Sequence, residues 1–176
     1  CEKPVYLTLD TGHMAVAPLM ADILKRQGVR VTFFAAPERT QEGDGSLGEH
    51  WAPWWRSRAG EGHEFASHTW DHVVWRADLP GSSPRFKMQP SAGPQQGQAL
   101  TLGGPEYCQQ LQRASDRLQA LTGKKPLPLF RAPGGKTSAR LLAAAKSCGY
   151  AHVGWASAGF LGDELASDKF SNAALL

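Results

Sequence analysis

The chain has 176 residues, 41% of them apolar, which suffices for one sizeable core and is ordinary for a globular domain. Its 19 basic and 16 acidic residues leave a net charge of +3, too mild to argue for a nucleic-acid partner, and no basic run is interleaved with aromatics. No stretch approaches the apolar length of a membrane span, and the three cysteines form no Cys-x-x-Cys pair, which argues against a thiolate zinc site.

Taken in order, Val5, Leu7 and Leu9 alternate with Tyr6, Thr8 and Asp10, the period of a strand that closes at Asp10-Thr11-Gly12. Ala17 to Gln27 carries Leu19, Met20, Ile23 and Leu24 at helical spacing and stops at Gly28. Val29 to Ala35 is a β-branched and aromatic run, the composition of a buried strand. Gln41 to Gly48 is a polar, glycine-rich loop. Leu47 to Arg58 is read as a helix carrying Trp51, Trp54 and Trp55, taken as packing groups ahead of sugar platforms. A short apolar stretch, Glu64-Phe65-Ala66, leads into His68-Thr69-Trp70-Asp71-His72, where a helical turn would put both imidazoles on one face.

Residues 79–105, rich in Pro, Gly, Ser and Gln, predict a long surface loop or insertion. Glu106 to Thr122 reads as a helix ended by Gly123. Pro128-Leu129-Phe130 is a short apolar run that ends in Arg131 and the rigid turn Pro133-Gly134-Gly135. Thr137 to Cys148 is a helix with Ser138 near its start and Gly149 at its end, and Tyr150 to Trp155 is a further strand. Alternation of strand and helix implies an α/β fold, a parallel sheet with covering helices. Cys108 and Cys148 fall on the helices flanking Arg131. Buried free thiols are the first expectation, and a disulfide between them is an alternative that spacing does not decide.

Three strand ends thus carry a carboxylate, a histidine pair and a guanidinium, and catalytic groups collect at the C-terminal ends of strands in parallel barrels. Two neutral histidines on one face chelate a divalent ion such as Zn²⁺. Each residue also has a plainer reading: Asp10 capping the turn at Gly12, Arg131 in a structural ion pair, either histidine satisfied in the core. Singly, the plainer readings win; together and in order, the functional one does.

Leu7-Thr8-Leu9-Asp10-Thr11-Gly12, Gly62-His63-Glu64-Phe65-Ala66-Ser67-His68-Thr69-Trp70-Asp71-His72 and Phe130-Arg131-Ala132-Pro133-Gly134-Gly135 resemble the first three motifs of the polysaccharide deacetylases, the NodB-homology family or carbohydrate esterase family 4. The resemblance covers about residues 4 to 160. It implies a single domain folded as a distorted (β/α) barrel, and metal-dependent hydrolysis of N-acetyl, less often O-acetyl, groups on a cell-wall or exported polysaccharide or an oligosaccharide. His68 and His72 would hold the metal, zinc first, with cobalt or nickel as alternatives. Such an ion lowers the pKa of bound water and polarises the carbonyl. Asp10 would be the general base, Arg131 would keep it ionised, and the Gly134 N–H would meet the developing oxyanion. Trp155 and Phe160 would wall the acetyl pocket. The implied place is extracytoplasmic (periplasmic, cell-envelope or secreted) with any signal peptide already removed; a cytoplasmic one is left open.

Three departures stand against the family pattern. Thr11 replaces the second of two consecutive aspartates, a metal ligand, and a neutral hydroxyl binds Zn²⁺ poorly. Asp10 is therefore either base or recruited ligand, with the base slightly preferred, and His13 is a further ligand candidate that reads better as a rim histidine. The fourth motif has Trp155 but no acid before Asp163. The fifth, a Leu-x-His that supplies the general acid, is not found before Leu176, so the chain reads as a barrel lacking its C-terminal strands and as part of a longer enzyme. Retention of both histidines argues against the metal-independent branch acting on cyclic ureides. The alternative function is a catalytically degenerate carbohydrate-binding relative.

Overall fold

The computed structural model describes residues 4–156 and Ser171. Five parallel strands form one sheet in the order β1 (Thr8–Asp10), β2 (Thr32–Ala35), β3 (Glu64–Ser67), β7 (Leu129–Phe130), β8 (Ala151–His152). The sheet is the parallel α/β frame expected. Among the described residues it is open, with β1 and β8 as its edges. Registers Asp10↔Phe34, Ala35↔Ser67, Ser67↔Phe130 and Phe130↔His152 bring the C-terminal ends of all five strands to one level. That level is where Asp10, His68 and Arg131 emerge.

The strands are shorter than their sequence patterns. Val5 and Tyr6 are 92% and 83% exposed, and pairing with β2 begins only at Thr8. Alternation without a partner strand does not make a strand, so the first element contracts to Thr8–Asp10. The helices keep close to expectation. α1 (Ala17–Gln27) ends at Gly28 in the left-handed region, with its N–H returning to Leu24 and Lys25 carbonyls. α3 (Gly104–Thr122) buries Tyr107, Leu111, Ala114, Leu118 and Leu121, a 3–4 stripe, and stops at Gly123. α4 (Ala139–Ser147) is capped by Ser138, whose hydroxyl oxygen accepts the Leu141 N–H. α2 (Ala52–Gly60) starts five residues later than Leu47, at a proline in its first turn.

Two apolar clusters pack against one face of the sheet, the face that Phe33, Phe65 and Phe130 share by register. One joins α1, α2 and β1–β3, where Phe33 stacks on Phe65 and meets Trp54 and Trp55 edge-on. Trp55 is wholly buried and Trp51 nearly so, so these tryptophans pack the core, as the plainer reading had it. The other cluster joins α3, α4, β7 and a second sheet.

Two strands of that second sheet lie where the 79–105 loop was expected. β4 (Val73–Asp78), β5 (Arg85–Pro90) and β6 (Leu100–Gly103) form an antiparallel meander. Phe86 and Met88 point into the core while Arg85 and Lys87 face solvent, the period-2 pattern of a half-buried strand. The Gly- and Pro-rich turns around these strands masked that alternation. Cys108 and Cys148 are joined by a disulfide, which replaces the expectation of free thiols and ties α3 to the end of α4.

Closing the 40-residue separation between the cysteines restricts the unfolded chain. Reduction with dithiothreitol is expected to cost about 3–4 kcal/mol on the loop-entropy relation, read as a lower urea midpoint; an unchanged midpoint would show the bond to be structurally idle. A second test concerns His63, which is buried and accepts the Val31 N–H on Nδ1. Burial holds its pKa below 6.5. The unfolded chain therefore takes up a proton first, and the stability that His63 contributes is full above 6.5 and lost as pH falls below it. The expected observation is a Tm that falls with acidification from neutral pH, less steeply in His63→Gln.

Candidate active site

β3 delivers His68 to the site by continuing the ladder one step: the His68 N–H donates to the Ala35 carbonyl at 2.9 Å. The chain then turns sharply rather than entering a helix. Thr69 and His72 have φ of 68° and 47°, the left-handed region that non-glycine residues seldom occupy. The expected helical turn is thus a reversed loop, and the two imidazoles meet because the chain doubles back. Side chains hold it: the Ser67 hydroxyl oxygen accepts the Thr69 N–H, and the Thr69 hydroxyl oxygen accepts the Val73 N–H. Gln110 on α3 clamps Asp71 twice, accepting its N–H and donating to its carboxylate, both at 2.8 Å.

The Nε2 atoms of His68 and His72 face each other at 3.1 Å. His68 Nδ1 lies 2.9 Å from the Arg131 carbonyl oxygen, which can only accept, so Nδ1 carries the proton and Nε2 is a bare lone pair. His72 Nδ1 contacts the Ser91 hydroxyl oxygen, whose own proton points to the His72 carbonyl at 3.3 Å. That arrangement leaves His72 Nε2 bare as well. Burial pushes both pKa values down to about 4, with the His68 imidazole adding to the effect on His72. Two neutral imidazoles aiming lone pairs at one point is the donor chemistry of a divalent ion: nitrogens at Zn–N distances of about 2.0–2.1 Å around a tetrahedral ion lie roughly 3.3 Å apart. Among the described residues no third histidine, cysteine or carboxylate completes a ready-made cluster.

Asp10, at the end of β1, stands beside the pair, its Oδ2 3.8 Å from His68 Nε2. Arg131 Nη1 donates to Asp10 Oδ1 at 2.8 Å, so the ion pair expected from sequence is present. The guanidinium, 1% exposed, is otherwise satisfied: Nη2 donates to Thr8 Oγ1 at 2.7 Å and Nε to the Val153 carbonyl at 3.1 Å. It lies between Phe34 and Trp155, 4.4 and 4.8 Å from their ring centroids.

Trp155 therefore roofs Arg131 while remaining 44% exposed. Its ring passes so close to Gly135 that a Cβ there would sit 2.6 Å from Cζ3. Gly134 is different: a Cβ there would meet nothing within 4 Å, but its φ of 63° favours glycine. The reason for a small residue at Gly134 is backbone conformation rather than crowding. Phe160 lies outside the described residues. His13 sits exposed on the rim, as its second reading held, with Nδ1 accepting the Ala15 N–H. His152 packs against Phe130 within β8, and His50 against Trp51.

Sequence reasoning missed two groups. Ser91, just past β5, orients His72. Glu38, three residues past β2, accepts the Thr11 hydroxyl proton, Oγ1 to Oε2 at 2.7 Å. Thr11 Oγ1 also accepts the Ala36 N–H at 2.9 Å, so its oxygen is engaged with β2. Burial raises the Glu38 pKa to about 7, partly offset by the Thr11 bond and reinforced by the charge of Asp10. Glu38, His13, Gly12, Ser91, Ala92 and Gln96 line a cavity of about 250 Å³ at the C-terminal ends of the strands. An acidic residue just beyond a good strand was the available signal for Glu38; Ser91 offered none.

A family model described as polysaccharide deacetylase matches residues 1–153, and the chain belongs to that family. It is similar to an uncharacterised 30.6 kDa protein of Geobacillus stearothermophilus, 24% identical over 89% of this chain and 48% of the relative. The chain thus spans about half the length of that curated relative. In fold it resembles a family 4 carbohydrate esterase from Bacillus anthracis, with a TM-score of 0.56, 23% identity, and coverage of 86% of this chain and 58% of the other. It also resembles a family 4 acetyl xylan esterase from Clostridium thermocellum in complex with a cobalt ion, with a TM-score of 0.61, 20% identity, and coverage of 99% and 67%.

Asp10→Asn leaves the buried Arg131 guanidinium without its counter-charge. The expected loss of stability is about 3 kcal/mol or more, measured by urea denaturation; a wild-type midpoint would mean that the pair contributes nothing.

Proposed function

We propose that the chain carries the site of a metal-dependent hydrolase that removes N-acetyl groups, and in a second substrate class O-acetyl groups, from a polysaccharide or oligosaccharide. The observation that carries this reading is the facing pair of Nε2 lone pairs, 3.1 Å apart, beside a carboxylate fixed by a buried guanidinium. His68 and His72 would hold the ion; zinc, cobalt and nickel all suit imidazole donors. When bound, the ion supplies Lewis-acid polarisation of the acetyl carbonyl and lowers the pKa of water.

The remaining work falls to the chain. The Arg131 guanidinium holds Asp10 by Oδ1 and turns its second oxygen, Oδ2, toward the histidine side. Asp10 is thereby suited to take the proton of the attacking water. The Gly134 N–H, in a turn of fixed conformation, is the donor assigned to the developing oxyanion. Trp155 covers the Arg131 face, its ring centroid 4.8 Å from the guanidinium carbon. The Cys108–Cys148 disulfide supports an extracytoplasmic, oxidising location. A binding relative without turnover is favoured by one observation, the replacement of a ligating aspartate by Thr11.

Acetate release from N-acetylglucosamine oligomers distinguishes these readings. Release is expected with added Zn²⁺ or Co²⁺, lost on chelation and in His68→Ala, and reduced about 10²-fold or more in Asp10→Asn. Saturable oligosaccharide binding without any release would favour the binding relative.

A further inference from the structure

Thr11 stands at the position where the family motif has its second aspartate, so β1 brings one carboxylate to the site instead of two. The neighbouring strand brings another. Glu38 follows β2, and its Oε2 lies 2.7 Å from Thr11 Oγ1, the hydroxyl of the residue at that motif position. We propose that Glu38 takes over the role vacated at Thr11, serving as the oxygen ligand of a divalent ion held by His68 and His72. This inference rests on the metal-site reading above and goes further by naming a ligand from a different strand.

Four features of the molecule support it. First, Thr11 itself is engaged elsewhere: its oxygen accepts the Ala36 N–H and its proton goes to Glu38, and a neutral hydroxyl is in any case a weak donor for zinc. Second, Asp10 is compensated by Arg131, which occupies its Oδ1 at 2.8 Å. A dication between two neutral imidazoles is stabilised by an anionic ligand, and Glu38 has no cation paired with its carboxylate among the described residues. Third, the Glu38 backbone is anchored while its side chain is lightly held. The Glu38 N–H donates to Ser46 Oγ and its carbonyl accepts the Ser46 N–H, both at 2.9 Å. The carboxylate keeps a bond to Thr11, and rotating off it exchanges one hydrogen bond for an ionic contact. Fourth, Glu38 and Ser91 line the same cavity, and Ser91 is the group that orients His72. Ligation by Glu38 requires that rotation, since no carboxylate among the described residues completes a ready-made cluster with the histidines as they stand.

The test is cobalt binding, measured by calorimetry on the metal-free full chain, with circular dichroism as the control for folding. Wild type is expected to bind one Co²⁺ and His68→Ala none. Glu38→Gln is expected to weaken binding by roughly tenfold or more. Moving the carboxylate back, in Thr11→Asp/Glu38→Gln, is expected to recover most of that loss. Thr11→Val, which releases the Glu38 carboxylate from its bond, is expected to bind at least as well as wild type. Wild-type affinity in a folded Glu38→Gln, failure of the folded double variant to recover, or weakened binding in a folded Thr11→Val would each overturn the proposal. Absence of cobalt binding by wild type would instead remove the metal-site reading, and this inference with it.

Discussion

One buried guanidinium holds the site together. Arg131 is 1% exposed, and its contacts tie together several strands: Asp10 and Thr8 on β1, Val153 just beyond β8, the ring of Phe34 on β2. Its backbone carbonyl, on the other side, fixes the proton of His68 on Nδ1 and so bares Nε2. The same residue thereby pairs with the carboxylate and fixes the tautomer of the histidine. A buried cation is costly unless it is paired and hydrogen-bonded. Here that cost is met by Asp10, the Thr8 hydroxyl and the Val153 carbonyl, which makes the ion pair a constraint on the sheet as well as on the chemistry.

The parallel sheet makes this convergence possible. Parallel registers align the strand ends, and the side chains that follow them share one end of the sheet. β3 continues past its last residue with a ladder bond, which lifts His68 into position before the chain reverses through two left-handed residues. Such conformations cost roughly 1–3 kcal/mol each and persist only where the surroundings over-determine them. The Gln110 clamp on Asp71 and the Ser67 and Thr69 side-chain bonds provide that support. The antiparallel sheet does more than cover α3 and α4: its exit from β5 carries Ser91 to the second histidine.

Much of this was legible in the chain. Strand ends were marked by Asp10, Arg131 and the turn glycines, because a short apolar run that stops at a polar residue and a glycine is how a buried strand leaves its sheet. Helix ends were marked by Gly28, Ser138 and Gly123, whose capping chemistry is local. What was not legible depends on tertiary partners. Val5 and Tyr6 alternate like a strand but pair with no neighbour among the described residues. The 85–90 alternation was hidden among turn residues. The geometry of the histidine loop depends on contacts with α3 that spacing does not encode. The disulfide joins residues whose proximity only the packing of α3 on α4 creates. Glu38 was overlooked because its significance lies in a neighbour on another strand, Thr11, and not in any motif of its own.

The central claim is that His68 and His72 form a divalent-cation site built on the Arg131 framework. Its most direct test is anomalous scattering at the cobalt edge from crystals of the protein grown with Co²⁺. The account predicts a single strong peak between the two Nε2 atoms, with Arg131 still bonded to Asp10. A peak elsewhere, or none at the histidine pair while the imidazoles keep their present facing orientation, would contradict it.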